Sequence, residues 1–325
     1  MRRVLPAVCL FFLSPIVGEM LLGATSIDAI GLIPMMALLY GGGTLLIREV
    51  VRRTRRGWCS ILLLGAAYAL LEEGLLDQMI FNGHYSGNYD MVHVTYVPFL
   101  GTGVFGLLSV LAVHGVWSVT VPIALMEGMV PDRADEPWLG RAGLAVTAAL
   151  FGLGIVIVGG GTYSDTHFMA PWPELAGTAA AIVLLVVAVF RIRRPGPGRA
   201  DRNAPRPLVA GAASLVLTSA FMIVLQANWW GVGAALAVAV VALALGLYWS
   251  RARGWGRPHV FALAAGATLT YVWDGFGQTP DEGSGGAINL AGHVLLAVAS
   301  AVFLYVAAKR VRKRSGAERL GSGTA

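Results

Sequence analysis

Lysine is nearly missing from this chain: of 24 basic residues only Lys309 and Lys313 are lysines, and the rest are arginines. Charge as a whole is scarce, at 13% of residues, about half the share that a soluble domain carries. A chain so poor in charge cannot clothe a water-facing surface, which excludes an ordinary soluble enzyme. Cysteine is limited to Cys9 and Cys59, so neither a disulfide framework nor a cysteine-based metal site is available. Basic residues are also absent from long stretches such as 57–132 and 258–308.

What fills the chain is apolar. Hydrophobic residues make up 56%, with a mean hydropathy of +0.69. Apolar runs recur near the roughly 20 residues that a helix needs to cross about 30 Å of hydrocarbon. Ten spans can be drawn, roughly 4–24, 29–48, 58–80, 101–124, 142–160, 172–190, 208–227, 231–249, 258–276 and 287–308. The expected fold is therefore all-α: a polytopic transmembrane helix bundle of about ten spans, in one integral membrane domain.

Within it, spans up to residue 127 are rich in polar groups, spans over 142–249 look like scaffold, and spans over 258–308 carry Asp274 and His293. A basic tail follows over 309–325. With both termini cytoplasmic, all 24 basic residues fall on the inner side, as short loops rich in arginine and lysine require. The basic loop 191–206 and the tail then read as topology determinants against anionic lipid, and the net charge of +6 does not point to nucleic acid. The start of the chain has the arginine pair and apolar core of a signal peptide, but Glu19 and the missing small-residue cleavage site favour an uncleaved first helix. The excess of arginine, alanine and glycine is the pattern of a GC-rich bacterial genome, and the expected location is the bacterial cytoplasmic membrane as a multi-pass protein, in contact with the lipid bilayer.

Against this apolar background, "LLEEGLLDQMIFN" carries Glu72, Glu73 and Asp77 in the outer half of span three. Glu19, Asp274 and His293 also fall in the outer half of their spans, and counting 1.5 Å per residue puts His114 near the midplane. Each ionised acid costs a few kcal/mol near the bilayer centre. Facing lipid separately these acids would be prohibitive, so they are expected to face inward, paired with donors, sharing protons or lining water. Helical spacing offers local pairs: Tyr68 with Glu72, Glu73 with Asp77, His114 with Ser118, Thr270 with Asp274, and Asn289 with His293. The glycines Gly41, Gly42 and Gly43 in mid-span read as a tight helix contact ahead of a hinge. The outer loop holds His84, Asp90 and His93 without a ligand spacing, so no metal and no cofactor is expected there or elsewhere.

A paired glutamate near mid-span, an intramembrane histidine on the next helix and another later resemble the CAAX-protease and bacteriocin-processing family of intramembrane glutamate-dependent proteases. Glu72 and Glu73 match its glutamate pair, with Asp77 where the family has arginine. His114 follows Val110 where the family has phenylalanine, and His293 precedes Ala297 where the family has asparagine or aspartate. The string "HGVWSVTVPIALME" is in addition similar to a family of uncharacterised bacterial membrane proteins. The first resemblance implies Glu72, Glu73, His114 and His293 as catalytic groups acting on a peptide or other small substrate. Glu19, Asp77, Ser118, Asp274 and Asn289 are the candidates for holding substrate or protons. A proton- or cation-coupled transporter and a purely structural membrane protein remain open beside the hydrolase.

Overall fold

The computed structural model describes residues 4–83, 85, 90–192 and 200–322, with side chains of the last helix described as far as Ser315. His84, of the loop expected on the outer side, lies outside the described residues.

The chain is an all-α bundle. Its helices are α1 (Leu5–Pro15), α2 (Ile33–Arg53), α3 (Trp58–Leu71), α4 (Val104–Ala112), α5 (Val121–Met129), α6 (Arg141–Thr166), α7 (Trp172–Arg191), α8 (Pro207–Val224), α9 (Trp229–Ser250), α10 (Arg257–Asp274) and α11 (Gly286–Ser322). Eight helical stretches are long and apolar enough to cross a membrane: 27–53, 58–76, 104–129, 141–166, 172–191, 207–224, 229–250 and 286–315. Such helices imply contact with a lipid bilayer. Each answers to one of the ten expected spans. The first expected span is a shorter apolar helix over Leu5–Leu21, and α10 stands outside the eight.

Three helices do not end where their α-helical part ends. α1, α3 and α4 continue as π-helix over Ile16–Leu21, Glu72–Leu76 and Val113–Thr120. In α3 the switch is visible in the Asp77 amide, which donates to the Glu72 carbonyl five residues back at 3.0 Å. Two short β pairs complete the chain. β1 (Tyr96–Val97) lies antiparallel to β2 (Thr102–Gly103), and β3 (Ala200–Asn203) lies parallel to β4 (Ala252–Arg253).

The polar-rich helices form the interior. α2 packs on α1 and α6, α3 packs on α7 and on the π-helical part of α4, and α10 packs on α8 and α5. By contrast α9 leaves Trp230, Val240 and Leu243 exposed, as a lipid-facing helix does. The glycine triplet resolves as tight packing on an unbroken helix. A Cβ on Gly41 would overlap the Phe11 carbonyl of α1, and one on Gly43 would come within 2.5 Å of the Tyr68 ring. Without a hydrophobic force between helices in lipid, such close approach supplies dispersion contacts that larger residues would deny.

The basic end of the bundle is tied by a buried ionic knot. Arg48 and Glu49 are fully buried at the end of α2. The Arg48 guanidinium contacts Glu49 at 2.9 Å and Glu127 of α5 at 3.2 Å, and donates to the carbonyls of Ala134 and Glu136. It also lies 3.3 Å over the Trp138 ring. Arg52 clasps both Glu127 oxygens, at 2.7 and 2.6 Å, while Glu49 accepts the Trp138 amide at 2.8 Å. Sequence reading assigned Arg48 and Arg52 only to a charged inner segment. Structurally they are the clamp that holds the 133–139 loop against the helices.

Candidate functional site

At the opposite end of the helices, three π-helical segments meet. Each brings an ionisable side chain: Glu19 from α1, Glu72 and Glu73 from α3, His114 from α4. A π-turn widens the helix and gives up α-helical backbone geometry, so three of them at one place ask for a reason. Such turns occur frequently at functional sites.

The centre is the His114 imidazole. Its Nε2 lies 2.6 Å from Glu73 Oε1 and its Nδ1 lies 3.0 Å from Glu72 Oε2. Glu72, Glu73 and His114 are all buried, at 3, 3 and 6% exposure, so the ring is enclosed between two carboxylates with little water to screen them. The Nδ1 contact is close but poorly aligned: Nδ1, Glu72 Oε2 and Glu73 Oε2 make no well-formed hydrogen bond. Proximity and not alignment therefore defines the cluster, leaving lone pairs on both carboxylates for a water or a reacting group.

Around this core sit further polar groups. The Tyr40 hydroxyl of α2 donates to Glu19 Oε1, and the Tyr40 ring lies 5.7 Å from the His114 ring between centroids. Glu19 lies near enough to His114, Glu72 and Glu73 to interact electrostatically with them. Tyr68 lies close enough to interact with Glu72, yet its buried hydroxyl makes no well-formed hydrogen bond. Asp77 closes the π-helical end of α3, accepts the Met79 amide at 3.2 Å and interacts electrostatically with Glu73 and Glu72. Beside it Gln78 takes a left-handed backbone conformation with φ of 58°, uncommon for a residue with a side chain. Its Oε1 accepts the Ala170 amide at 2.7 Å.

Four of the acids and histidines expected to face inward thus share one cluster with Glu73: Glu19, Glu72, Asp77 and His114. Counting residues put His114 deeper than the glutamates, but the contacts set them at one level. No salt bridge joins a lysine or arginine to these acids among the described residues, and His114 is the basic side chain in contact with Glu72 and Glu73.

The other expected site residues are placed elsewhere. The Ser118 hydroxyl donates to the Val113 carbonyl at 3.2 Å, and the Ser118 carbonyl accepts from Ser14 at 2.7 Å and Thr44 at 3.1 Å. Ser118 therefore fastens the π-helical part of α4 to α1 and α2. Asp274 accepts from Gln278 at 3.0 Å, and Asn289 donates to the Gln278 carbonyl at 3.3 Å. His293 is buried with its ring 5.7 Å from Phe276, and its Nε2 has no hydrogen-bond partner. The expected local pairs also re-sort, since Thr270 bonds Thr218 at 2.6 Å instead of Asp274. Asp90 and His93 of the outer loop pair with each other at 3.0 Å on an exposed turn.

Sequence reading missed Tyr40. It stands just before the glycine triplet, and only the packing of α2 on α1 turns it toward Glu19. It also missed the π-turns, for which no sequence spacing serves as a sign.

Glu72, Glu73 and His114 place one ligand atom each within 4.8 Å of one another, near enough for a metal ion. The two carboxylates lie at different ring nitrogens, however, and one ion coordinates only one imidazole nitrogen.

No curated protein and no solved structure matches this sequence. A family model does match, over residues 8–313, nearly the whole chain. The chain belongs to that family, described as an uncharacterized membrane protein family.

Proposed function

We propose that this membrane protein is an intramembrane hydrolase that uses a glutamate as general base, with Glu73 or Glu72 in that role and His114 as its partner. The observation that carries the reading is the imidazole enclosed between two buried carboxylates from another helix. The convergence of three π-helical segments on that imidazole supports it.

The chemistry follows from the pairing. One glutamate takes a proton from water, and the hydroxide oxygen adds to a substrate carbonyl carbon. The displaced electron pair moves to the carbonyl oxygen, where the protonated imidazole stabilises it. Collapse of the tetrahedral intermediate expels the amine or alcohol, which receives the proton the glutamate held. The second glutamate keeps His114 protonated and oriented. Tyr40, whose ring lies beside that of His114, and Glu19, which accepts its hydroxyl, are positioning residues.

The test is turnover of a peptide and ester library by purified protein in proteoliposomes. Glu73→Gln and Glu72→Gln should each retain membrane abundance, and at least one should lose activity by about a hundredfold or more, the usual share of general acid–base catalysis. Retained turnover in both removes the reading.

A second reading is favoured by Glu19 and Tyr40. They extend the acidic cluster to α1 and α2, as a proton- or cation-coupled transporter requires and a two-residue dyad does not. Flux that titrates with Glu19→Gln in proteoliposomes lacking any hydrolysable substrate would select it over the hydrolase.

A further inference from the structure

The basic end of the bundle holds a cavity of about 220 Å³ between the start of α3, the end of α5 and the start of α10. It lies apart from the acid–histidine cluster and has a lining of its own kind. Trp58, Trp255 and Phe261 supply three aromatic rings, Glu127 and Asp135 two carboxylates, and Arg52 and Arg257 two guanidiniums, of which Arg52 is held by Glu127. Each indole has one partner already: Arg52 lies 5.1 Å over Trp58, and His259 stacks on Trp255 at 4.7 Å. Asp135 and Arg257 pair with each other, with Asp135 largely exposed and Arg257 about one-third exposed. The lining thus offers both signs of charge side by side.

Aromatic faces next to carboxylates are the chemistry that recognises an ammonium group. A guanidinium is the chemistry that recognises a phosphate. A small cavity offering both fits a molecule that carries both. The level is also right: Trp58 opens α3 and Trp255 lies two residues before α10, where tryptophan marks a membrane–water interface.

We propose that this cavity binds a phosphoester zwitterion of the phosphoethanolamine or phosphocholine class, its ammonium against Trp58, Trp255 and Asp135 and its phosphate on Arg257. The same headgroup occurs on a membrane lipid and on a free phosphoester, and the two sources separate by experiment. Glu127 stays in its clasp with Arg48 and Arg52, which leaves Asp135 as the carboxylate for the ammonium.

Full-length protein in detergent would be titrated with phosphatidylethanolamine, phosphatidylcholine, phosphatidylglycerol, free phosphoethanolamine and free phosphocholine, reading thermal stability. Saturable stabilisation by the zwitterionic lipids and not by phosphatidylglycerol is expected. Trp255→Ala, Arg257→Gln and the mostly exposed Asp135→Asn should each weaken apparent affinity by about tenfold or more, the loss of one good polar or cation–π contact. Equal stabilisation by the free headgroups assigns the site to a soluble phosphoester. Equal stabilisation by phosphatidylglycerol, or unchanged titrations in all three variants, overturns the proposal.

Discussion

Glu73 and His114 approach to 2.6 Å across two helices, and both are buried. A contact this short between groups able to carry opposite charge holds α3 to α4 as well as forming the site. His114 is shared with Glu72, so its loss leaves two buried carboxylates without a positive partner. His114→Ala should therefore destabilise the bundle by about 3–5 kcal/mol, the cost of breaking a buried pair by removing one member. Thermal unfolding in detergent reads this, and a change below about 1 kcal/mol would show that the acids do not depend on the ring.

Tyr40 separates positioning from folding. Tyr40→Phe keeps the ring beside His114 and removes only the hydroxyl that donates to Glu19. Its stability cost should be about 1–3 kcal/mol, that of a buried acceptor left unsatisfied. If the hydrolase reading holds, the pH profile of turnover should also move, because a carboxyl near His114 loses its hydrogen bond. An unmoved profile would make Tyr40 structural only.

Two glycines test whether close packing or chain flexibility matters in α2. Gly41→Ala should cost about 1–3 kcal/mol or more, since its Cβ would meet the rigid Phe11 backbone. Gly160 in α6 has open space where its Cβ would stand, so Gly160→Ala should be neutral or should stabilise by about 0.5–1 kcal/mol through helix propensity. Equal effects of the two changes would contradict the packing account.

At the basic end, Glu127→Gln leaves Arg48 and Arg52 buried with half their compensation lost. A loss of about 3–5 kcal/mol is expected, with the 133–139 loop becoming protease-sensitive. Limited proteolysis of wild type and variant at equal abundance checks both.

The exposed turn at Asp90 offers a pH test outside the membrane-spanning segments. The His93 amide, which donates to Asp90 Oδ1 at 2.7 Å, holds the Asp90 carboxyl below its usual range. A depressed aspartate contributes stability that is present above its unfolded value near 4 and is lost as pH falls through the lower folded value. Hydrogen exchange at the His93 amide, corrected for intrinsic rate, should therefore accelerate only below about pH 4. Asp90→Asn should abolish that acceleration.

Much of the fold was legible from apolar length alone. α6, α7, α8 and α9 follow their expected spans closely, because a lipid-facing helix obeys hydropathy and little else. The meeting of Glu19, Glu72, Glu73, Asp77 and His114 was also legible in outline, since buried acids without nearby cations must find one another. The partners were not. Thr270 bonds Thr218 and Ser118 fastens helices, because the nearest polar group in space outcompetes the one four residues away. Arg48 reads in sequence as the inner end of its span. It lies fully buried because Glu127, which nothing in its local sequence marks, arrives from α5.

The widened turns carry a consequence for how this cluster can vary. In α3 and α4 a π-turn holds one residue more than the α-helical repeat, so deleting a single residue such as Gly74 would let the segment relax to ordinary winding. The helix beyond the cut would keep its rotational phase, while Glu72 and Glu73, which lie inside the widened turn, would be re-aimed. The glutamates would keep their chemistry and lose their neighbour. Along these helices, the number of residues constrains the cluster as tightly as their identity does.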